Sequence, residues 1–218
     1  RIVVSGAGTV VGRLLAARLR SAGHQVDEDG DLRDADTVVH CAGLDGPDDS
    51  SVAAAIDDAA GVDRFVLAYS GPPRQRDEDL LRARVSDAVI CRAGLVLGRD
   101  LGDGLVPLLA RRALPAGDGS PLSIVHVDDV LRFLVQAVVS PEMGGATVAL
   151  AAPEPVTPAE IAAATGRSVS RLSRGALAEW FLACQVHDGS PHPTAWSARA
   201  CLADTALAVR GRISIGNR

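Results

Sequence analysis

The glycine-rich segment Ser5–Gly12, which reads Ser-Gly-Ala-Gly-Thr-Val-Val-Gly, constrains the fold of this chain more than any other. It follows a short β-branched run, Ile2–Val4, and leads into Val10–Leu19, whose leucines have helical spacing. Glycines at such a junction permit a tight turn, let backbone amides approach a phosphate, and allow a helix to pack closely on a strand. The segment therefore predicts a strand, a turn and a helix that together bind a pyrophosphate, although a glycine turn without a ligand fits the same residues.

Strand and helix patterns alternate along the rest of the chain. Strands are predicted at residues 24–26, 37–43, 64–70, 88–92, 122–127 and 146–150. Helices are predicted at residues 51–60, 77–85, 105–114, 130–139, 157–164 and 173–184. This order is typical of a parallel sheet with helices on both faces, so we expect a Rossmann-like, doubly wound α/β fold. We assign residues 1–98 with 122–150 to a nucleotide-binding domain, and residues 99–121 with 151–218 to a smaller C-terminal substrate-binding portion.

The composition argues against several other classes of protein. With 218 residues, 47% of them hydrophobic, the chain can bury one substantial core. A net charge of −5 offers no positive surface for nucleic acid or for an anionic membrane. The four cysteines form no C-x-x-C pair, which argues against a zinc site or a disulfide framework. We expect a cytoplasmic protein with a small-molecule substrate and no nucleic-acid, membrane or metal partner, and a homodimer is one assembly open to it.

Acidic residues after the second predicted strand bear on which dinucleotide would bind. Asp27, Glu28 and Asp29 lie about 20 residues past the glycine loop, where a carboxylate can accept hydrogen bonds from an adenosine ribose. No arginine precedes Arg33 in this stretch to bind a 2′-phosphate. These residues favour NAD over NADP without excluding NADP, and an acidic turn with no ligand is an equal alternative.

Five further segments, together with the glycine loop, carry a family resemblance: Gly30–Asp34, Val38–Gly43, Val62–Val66, Arg92–Gly98 and Ile124–Val130. Taken together they resemble the extended branch of the short-chain dehydrogenase/reductase superfamily, the NAD-dependent epimerases and dehydratases that act on nucleotide sugars. The resemblance and the loop pattern imply cofactor contacts at Gly6, Gly8, Thr9, Val10, Val11, Gly12, Asp31, Leu32, Cys41, Ala42, Gly43 and Tyr69. The resemblance also implies that Ser70 takes the catalytic serine or threonine position. Residues 126–129 look mainly structural, with Asp128 as a helix cap.

The chain departs from this family pattern at the catalytic residues. The family moves protons with a Tyr-x-x-x-Lys pair, but this chain has no lysine, and its single tyrosine, Tyr69, falls in a strand. If Glu78 is the helix glutamate that follows the family's lysine by four residues, Arg74 takes the lysine position, and an arginine cannot lower its pKa as a catalytic lysine does. The connection between Val26 and Asp36 is shorter than the roughly 10 to 12 residues that a parallel crossover needs. Residues 70–74 are likewise too few for the usual tyrosine loop.

Two functional hypotheses therefore stay open. The leading one is an NAD-dependent epimerase, dehydratase or reductase for a sugar-like or small carbonyl substrate, in which Ser70 aids hydride transfer. The retained Ser70 and the C-terminal substrate-like portion favour it. The other is a non-catalytic NAD(P)-binding or sensing protein, which the missing tyrosine and lysine favour. The short loops reflect either lost catalysis or internal segments absent from this chain, and we favour absent segments because a lost crossover would uncover a sheet edge. Leu122 and Ser123 replace a phosphate-binding arginine, which argues against a diphosphate-linked sugar.

Overall fold

The computed structural model describes residues 1–41, 43–44, 46, 52–99, 105–109, 111–170, 175–185 and 189–216. The strands are β1 (Ile2–Ser5), β2 (Val26–Glu28), β3 (Thr37–His40), β4 (Arg64–Tyr69), β5 (Asp87–Ala93), β6 (Leu95–Leu97), β7 (Ala113–Pro115), β8 (Ile124–His126), β9 (Thr147–Leu150), β10 (Ser168–Ser170) and β11 (Ser190–Pro191). The helices are α1 (Val10–Ser21), α2 (Val52–Asp58), α3 (Gln75–Arg84), α4 (Val106–Leu109), α5 (Val127–Val139), α6 (Pro158–Ala164), α7 (Ala176–Leu182) and α8 (Ala198–Gly216).

A seven-stranded sheet in the order β11-β9-β5-β4-β3-β1-β2 lies at the centre, and its neighbouring strands are parallel. The chain passes from β1 to β2 on one side of β1 and then crosses to β3 on the other side. In such sheets, ligands bind outside the carboxyl ends of the strands at the point where the order reverses. The predicted doubly wound α/β fold is confirmed, and this point lies at the glycine loop.

Two apolar clusters cover the two faces of this sheet. On one face, side chains of α1 and α5 such as Leu15 and Leu134 pack on the strands. On the other face, side chains of α2 and α3 such as Ile56 and Leu81 do so. Successive side chains of a strand point to opposite faces, and the tyrosine at the end of β4, Tyr69, belongs to the α2–α3 face. Its ring is therefore directed away from the face on which α1 lies.

The connection between β2 and β3 is much reduced. Residues 29–36 cross β1 with a single 3₁₀ turn in place of a crossover helix. Strand β2 is consequently the edge of the sheet, and its acidic residues Asp27 and Glu28 form ion pairs with Arg1 and Arg20. A short, charged edge strand resists pairing with another chain. In the usual strand order 3-2-1-4-5-6, one more strand pairs with the outer side of the strand that corresponds to β2. In this chain that strand is absent from the described sheet, and the charged β2 forms its edge.

Several elements differ from the sequence prediction, including strands β6, β10 and β11, which lie where no strand was predicted. The segment predicted as a helix at 105–114 forms the short α4 and then β7, which pairs with β10. Helix α5 begins at Val127, and its N-cap is His126, whose side chain accepts the Asp128 amide. The prediction of Asp128 as the cap is therefore wrong. Helix α8 lies where no helix was predicted, and it follows Ser197, whose hydroxyl accepts the Ala200 amide.

The C-terminal portion is joined to the sheet at two places. Strand β11, from the segment assigned to the smaller domain, pairs with β9. The buried carboxylate of Asp129 on α5 accepts hydrogen bonds from the amides of Ala195 and Trp196 at 3.0 to 3.1 Å. The division into two domains stays a prediction, as do the cytoplasmic location and the homodimer. In the described part of the chain, the helices are too short or too polar to span a bilayer.

Candidate nucleotide-binding site

The glycine loop connects β1 to α1 through a turn that two of its glycines make possible. Gly6 has a φ of 84°, which favours glycine. A Cβ on Gly12 would lie 2.4 Å from the Gly6 carbonyl oxygen and 2.8 Å from the Ala7 Cα, so only glycine lets α1 approach β1 this closely. Gly8 is exposed, and a Cβ there would meet nothing within 4 Å. The loop thus has two structural glycines and one that faces open space.

The first turn of α1 leaves backbone amides for an anion. Thr9 caps the helix, since its hydroxyl oxygen accepts the Gly12 amide at 3.0 Å and donates to the Gly6 carbonyl at 2.7 Å. Among the described residues, the amides of Gly8 and Val11 have no acceptor within the chain. Arg13, whose guanidinium donates to the Gly8 carbonyl at 2.7 Å, adds a positive charge beside them. Helix dipole, amides and guanidinium all favour a bound phosphate here.

One of the three acidic candidates lies against this loop. The Asp29 carboxylate accepts the amides of Gly6 at 2.9 Å and Ala7 at 3.3 Å, and its backbone is left-handed with a φ of 50°. The other two, Asp27 and Glu28, pair with arginines instead. Because Asp29 takes the amides at the end of β1, it does not compete for those at the start of α1. A phosphate on the helix and a ribose beside Asp29 are therefore compatible.

The next two predicted contacts, Asp31 and Leu32, lie further along the same connection. Asp31 accepts the Arg33 amide at 3.1 Å and pairs with the Arg33 guanidinium at the same distance. These hydrogen bonds hold the pKa of Asp31 below its usual value. Leu32 is partly buried and packs on the α2–α3 cluster. Both residues can border a ligand held by Asp29, and their part in binding stays a prediction.

The predicted contacts after β3 offer backbone rather than side chains. Cys41 is fully buried, and its amide donates to the Ser5 carbonyl at 2.9 Å. Gly43 has a φ of 85°, and its carbonyl accepts the Ser70 amide at 3.2 Å. Ala42 lies outside the described residues. The side chains of Val10 and Val11 are likewise buried in the core, so these positions can contact a ligand mainly through their main-chain atoms.

A buried charge cluster holds the only tyrosine. The Tyr69 hydroxyl donates to Glu78 Oε1 at 2.7 Å, and the Arg92 guanidinium binds both oxygens of Glu78 at 2.8 and 2.7 Å. Glu78 is fully buried, and Arg82 approaches its Oε2 at 3.3 Å. Arg74, in the family's lysine position, lies over the Tyr69 ring at 5.9 Å. The side chains of Tyr69 and Arg74 thus meet on the α2–α3 face.

The electrostatics of this cluster oppose proton transfer by Tyr69. Burial, and then the hydrogen bond to Glu78, raise the pKa of Tyr69 to about 12. Burial alone would raise the pKa of Glu78, but hydrogen bonds from Arg92 and Tyr69 outweigh it and hold that pKa below its usual value. A general acid or base works best when its pKa lies near the operating pH. Tyr69 is therefore suited to a structural hydrogen bond, and its predicted cofactor contact would have to be made by its backbone.

Ser70 follows β4, at the carboxyl end of the sheet, as the resemblance implies. Its hydroxyl donates to the Gly94 carbonyl at 2.9 Å, and the residue is 2% exposed. The Trp180 indole nitrogen donates to the Ser70 carbonyl at 3.2 Å from the other side. The hydroxyl of Ser70 is thus engaged within the protein and covered by α7.

Sequence reasoning missed three residues of this region. Arg13 stands directly after the last glycine, and that position was a signal for a phosphate contact. Glu78 was visible four residues after Arg74, although its burial against Arg92 was not. Trp180 gave no signal, because its contact with the end of β4 joins residues 110 positions apart.

Comparison with known proteins extends these findings. No family model matches the chain. Solved structures that match it include MoeE5 in complex with UDP-glucuronic acid and NAD, with 19% identity and a TM-score of 0.70 over 97% of this chain and 99% of that one. Another is the UDP-glucose 4-epimerase of Thermus thermophilus with NAD, with 16% identity and a TM-score of 0.68 over 97% and 99% of the two chains. The chain shares the Rossmann-like α/β fold of these proteins. The human epimerase family protein SDR39U1 with NADPH shares this fold, with 19% identity and a TM-score of 0.68 over 95% and 99% of the two chains.

Two sequence relatives are much longer than this chain. Uncharacterized proteins of Mycobacterium tuberculosis and Mycobacterium bovis are each 33% identical to it over 266 residues. The match includes 100% of this chain, which spans 31% of the length of each relative. Because the aligned region is longer than the 218 residues here, the relatives contain residues within it that this chain lacks.

Substitution of Gly12, which packs against backbone, and of Gly8, which faces open space, tests the loop geometry. Gly12→Ala is expected to lower the free energy of unfolding by about 1 to 3 kcal/mol, since its methyl group meets backbone atoms that cannot rotate away. Gly8→Ala is the matched control and is expected to stay within about 0.5 kcal/mol of the wild type. Urea denaturation measures both. Equal stability of Gly12→Ala and the wild type would contradict the close packing of α1 on β1.

Titration of the single tyrosine tests the charge cluster. In the folded protein the tyrosinate absorbance is expected to rise with a midpoint near pH 12, because burial and Glu78 disfavour the phenolate. The same protein in guanidinium chloride is the control, with a midpoint near the ordinary value of 10.0. Since the folded state keeps the proton that the unfolded chain loses, stability is expected to fall as the pH rises through this window. A folded-state midpoint at or below 10.0 would show that Tyr69 is not buried against Glu78.

Proposed function

We propose that this chain binds NAD(H) at the glycine loop and does so without the proton chemistry of the Tyr-x-x-x-Lys enzymes. The observation that carries the proposal is the arrangement of Gly8, Val11 and Asp29. Among the described residues, two amides at the start of α1 have no acceptor and lie beside the positive charge of Arg13, and the Asp29 carboxylate accepts the adjoining amides of Gly6 and Ala7. This is the arrangement that a pyrophosphate followed by an adenosine ribose requires.

The structural neighbours support the choice of ligand. MoeE5 and the Thermus thermophilus epimerase were solved with NAD, and SDR39U1 with NADPH. Asp29 favours NAD over NADP, because a carboxylate beside the ribose accepts hydrogen bonds from the 2′-hydroxyl and repels a 2′-phosphate. NAD supplies hydride chemistry when it is bound to an enzyme. The residues of this chain that we assign to it bind and orient its phosphates and its ribose.

A non-catalytic role is supported by the residues that would have to carry out proton transfer. The chain contains no lysine, and the Tyr69 hydroxyl is bound to the buried Glu78. The Ser70 hydroxyl donates a hydrogen bond to the Gly94 carbonyl, and the residue is covered by Trp180. A catalytic hydroxyl must reach the reacting atom of a substrate within hydrogen-bond distance. These three positions therefore support a protein that binds the nucleotide and presents the bound form to a partner.

An NAD-dependent epimerase, dehydratase or reductase is the second candidate. It is favoured by the mycobacterial relatives, whose extra residues within the aligned region could carry a tyrosine and a lysine. A nucleotide sugar fits this chain poorly, since Leu122 is buried and pairs with Val156, and Ser123 binds the Cys184 carbonyl where an arginine would be needed. A small carbonyl compound is the substrate class that this alternative retains.

Calorimetric titration with NADH and NADPH tests the proposal. The wild type is expected to bind NADH at least about tenfold more tightly than NADPH, and Asp29→Asn should reduce that ratio by removing the repulsive charge. Glu28→Gln is the matched control, because Glu28 pairs with Arg20 and should leave the ratio unchanged. Absence of binding by either nucleotide would overturn the proposed function, and an unchanged ratio in Asp29→Asn would remove Asp29 from the site.

A further inference from the structure

The indole of Trp180 closes the carboxyl end of β4. Its ring nitrogen donates to the Ser70 carbonyl at 3.2 Å, and a Cβ on Gly71 would lie 2.6 Å from Trp180 Cδ1. Gly71 therefore accepts the ring against its backbone, helped by a φ of 95° that favours glycine. Ser70 and Trp180 are 2% and 5% exposed. The ring and the strand end form one packed contact that leaves no space between them.

Helix α7 is held in this position by contacts at its far end. Cys184 Sγ donates to the Trp180 carbonyl at 3.3 Å, and the Cys184 carbonyl accepts the Ser123 amide at 3.0 Å. Trp180, Phe181 and Cys184 all belong to the same apolar cluster as α1 and α5. The tryptophan is thus part of the core and not a side chain resting on the surface.

The sheet order decides which half of a dinucleotide would meet this contact. Phosphates at the start of α1 lie over β1, and a ribose beside Asp29 lies on the β2 side of it. A dinucleotide crosses the crevice at the reversal of strand order. Its second nucleoside must then extend over β3 and β4, toward Ser70. The half with adenosine would meet a carboxylate and amides that have no acceptor among the described residues, whereas the half with nicotinamide would meet the packed indole.

We propose that the site recognises the ADP-ribose part of its ligand and gives the nicotinamide ring no binding pocket at Ser70. This inference rests on the proposed function, since it divides the same site into a half that fits the nucleotide and a half that does not. The ligand class is ADP joined to a ribose, whatever the ribose carries. Oxidised and reduced NAD are then equivalent ligands, and a partner would respond to the presence of the nucleotide and not to its redox state.

Paired titrations with ADP-ribose and NAD⁺ test the inference. Calorimetry on the wild type is expected to give dissociation constants within about threefold of each other, because the nicotinamide adds no contacts. Trp180→Ala should open the end of β4 and strengthen NAD⁺ relative to ADP-ribose by about tenfold or more. Trp196→Phe is the control, because Trp196 stacks on His126 at 3.6 Å instead of on Ser70, and it should keep the wild-type ratio.

Fluorescence of bound NADH gives a second readout in case Trp180→Ala does not fold. The emission maximum of NADH saturated with wild-type protein should match that of NADH in water, since the nicotinamide ring stays solvated. A blue-shifted, enhanced emission, or wild-type binding of NAD⁺ at least about tenfold tighter than that of ADP-ribose, would overturn the inference and leave the proposed function intact. Failure of both ADP-ribose and NAD⁺ to bind would instead overturn the proposed function, and the inference with it.

Discussion

The close approach of α1 to β1 at Gly12 is the contact on which the rest of the site depends. With no side chain there, the start of the helix lies against the Gly6 carbonyl, close to the reversal of strand order, and the amides of Gly8 and Val11 have no acceptor among the described residues. The same turn presents the Gly6 and Ala7 amides to Asp29. In the proposed function, the close approach at Gly12 therefore determines both the phosphate position and the ribose position.

At the end of the crevice near β4, the polar side chains are engaged in contacts within the protein. The buried Glu78 carboxylate accepts hydrogen bonds from Tyr69 and Arg92, and the Trp180 indole on α7 packs over Ser70. A buried carboxylate is tolerated only when its charge is paired and hydrogen-bonded, as it is here. The hydroxyl groups on which the family's chemistry relies thus serve the stability of this chain. The proposed function therefore assigns nucleotide binding to one end of this crevice and no proton transfer to the other.

Local pattern predicted the sheet well because each strand–helix unit carries its own signal. The glycine loop, α1, β4 and β5 lie where β-branched runs and leucine spacing indicate. The sequence pattern could not show which of Asp27, Glu28 and Asp29 lies against the glycine loop, since the answer depends on which arginines lie nearby in space. It also missed α8, whose apolar stripe is weak, and it took Ala113–Pro115 for helix because the pairing of β7 with β10 is not local. Contacts between distant segments decided these cases, as they did for Trp180.

Backbone amide shifts are the most direct measure of the central claim, that the start of α1 binds the phosphates of a dinucleotide. A titration of ¹⁵N-labelled protein with NAD⁺, followed by heteronuclear NMR, reports on every amide of the loop in one experiment. The account predicts that the largest and saturable shifts occur at Gly8, Thr9 and Val11. Saturable shifts confined to the C-terminal portion, with the loop amides unmoved, would contradict it.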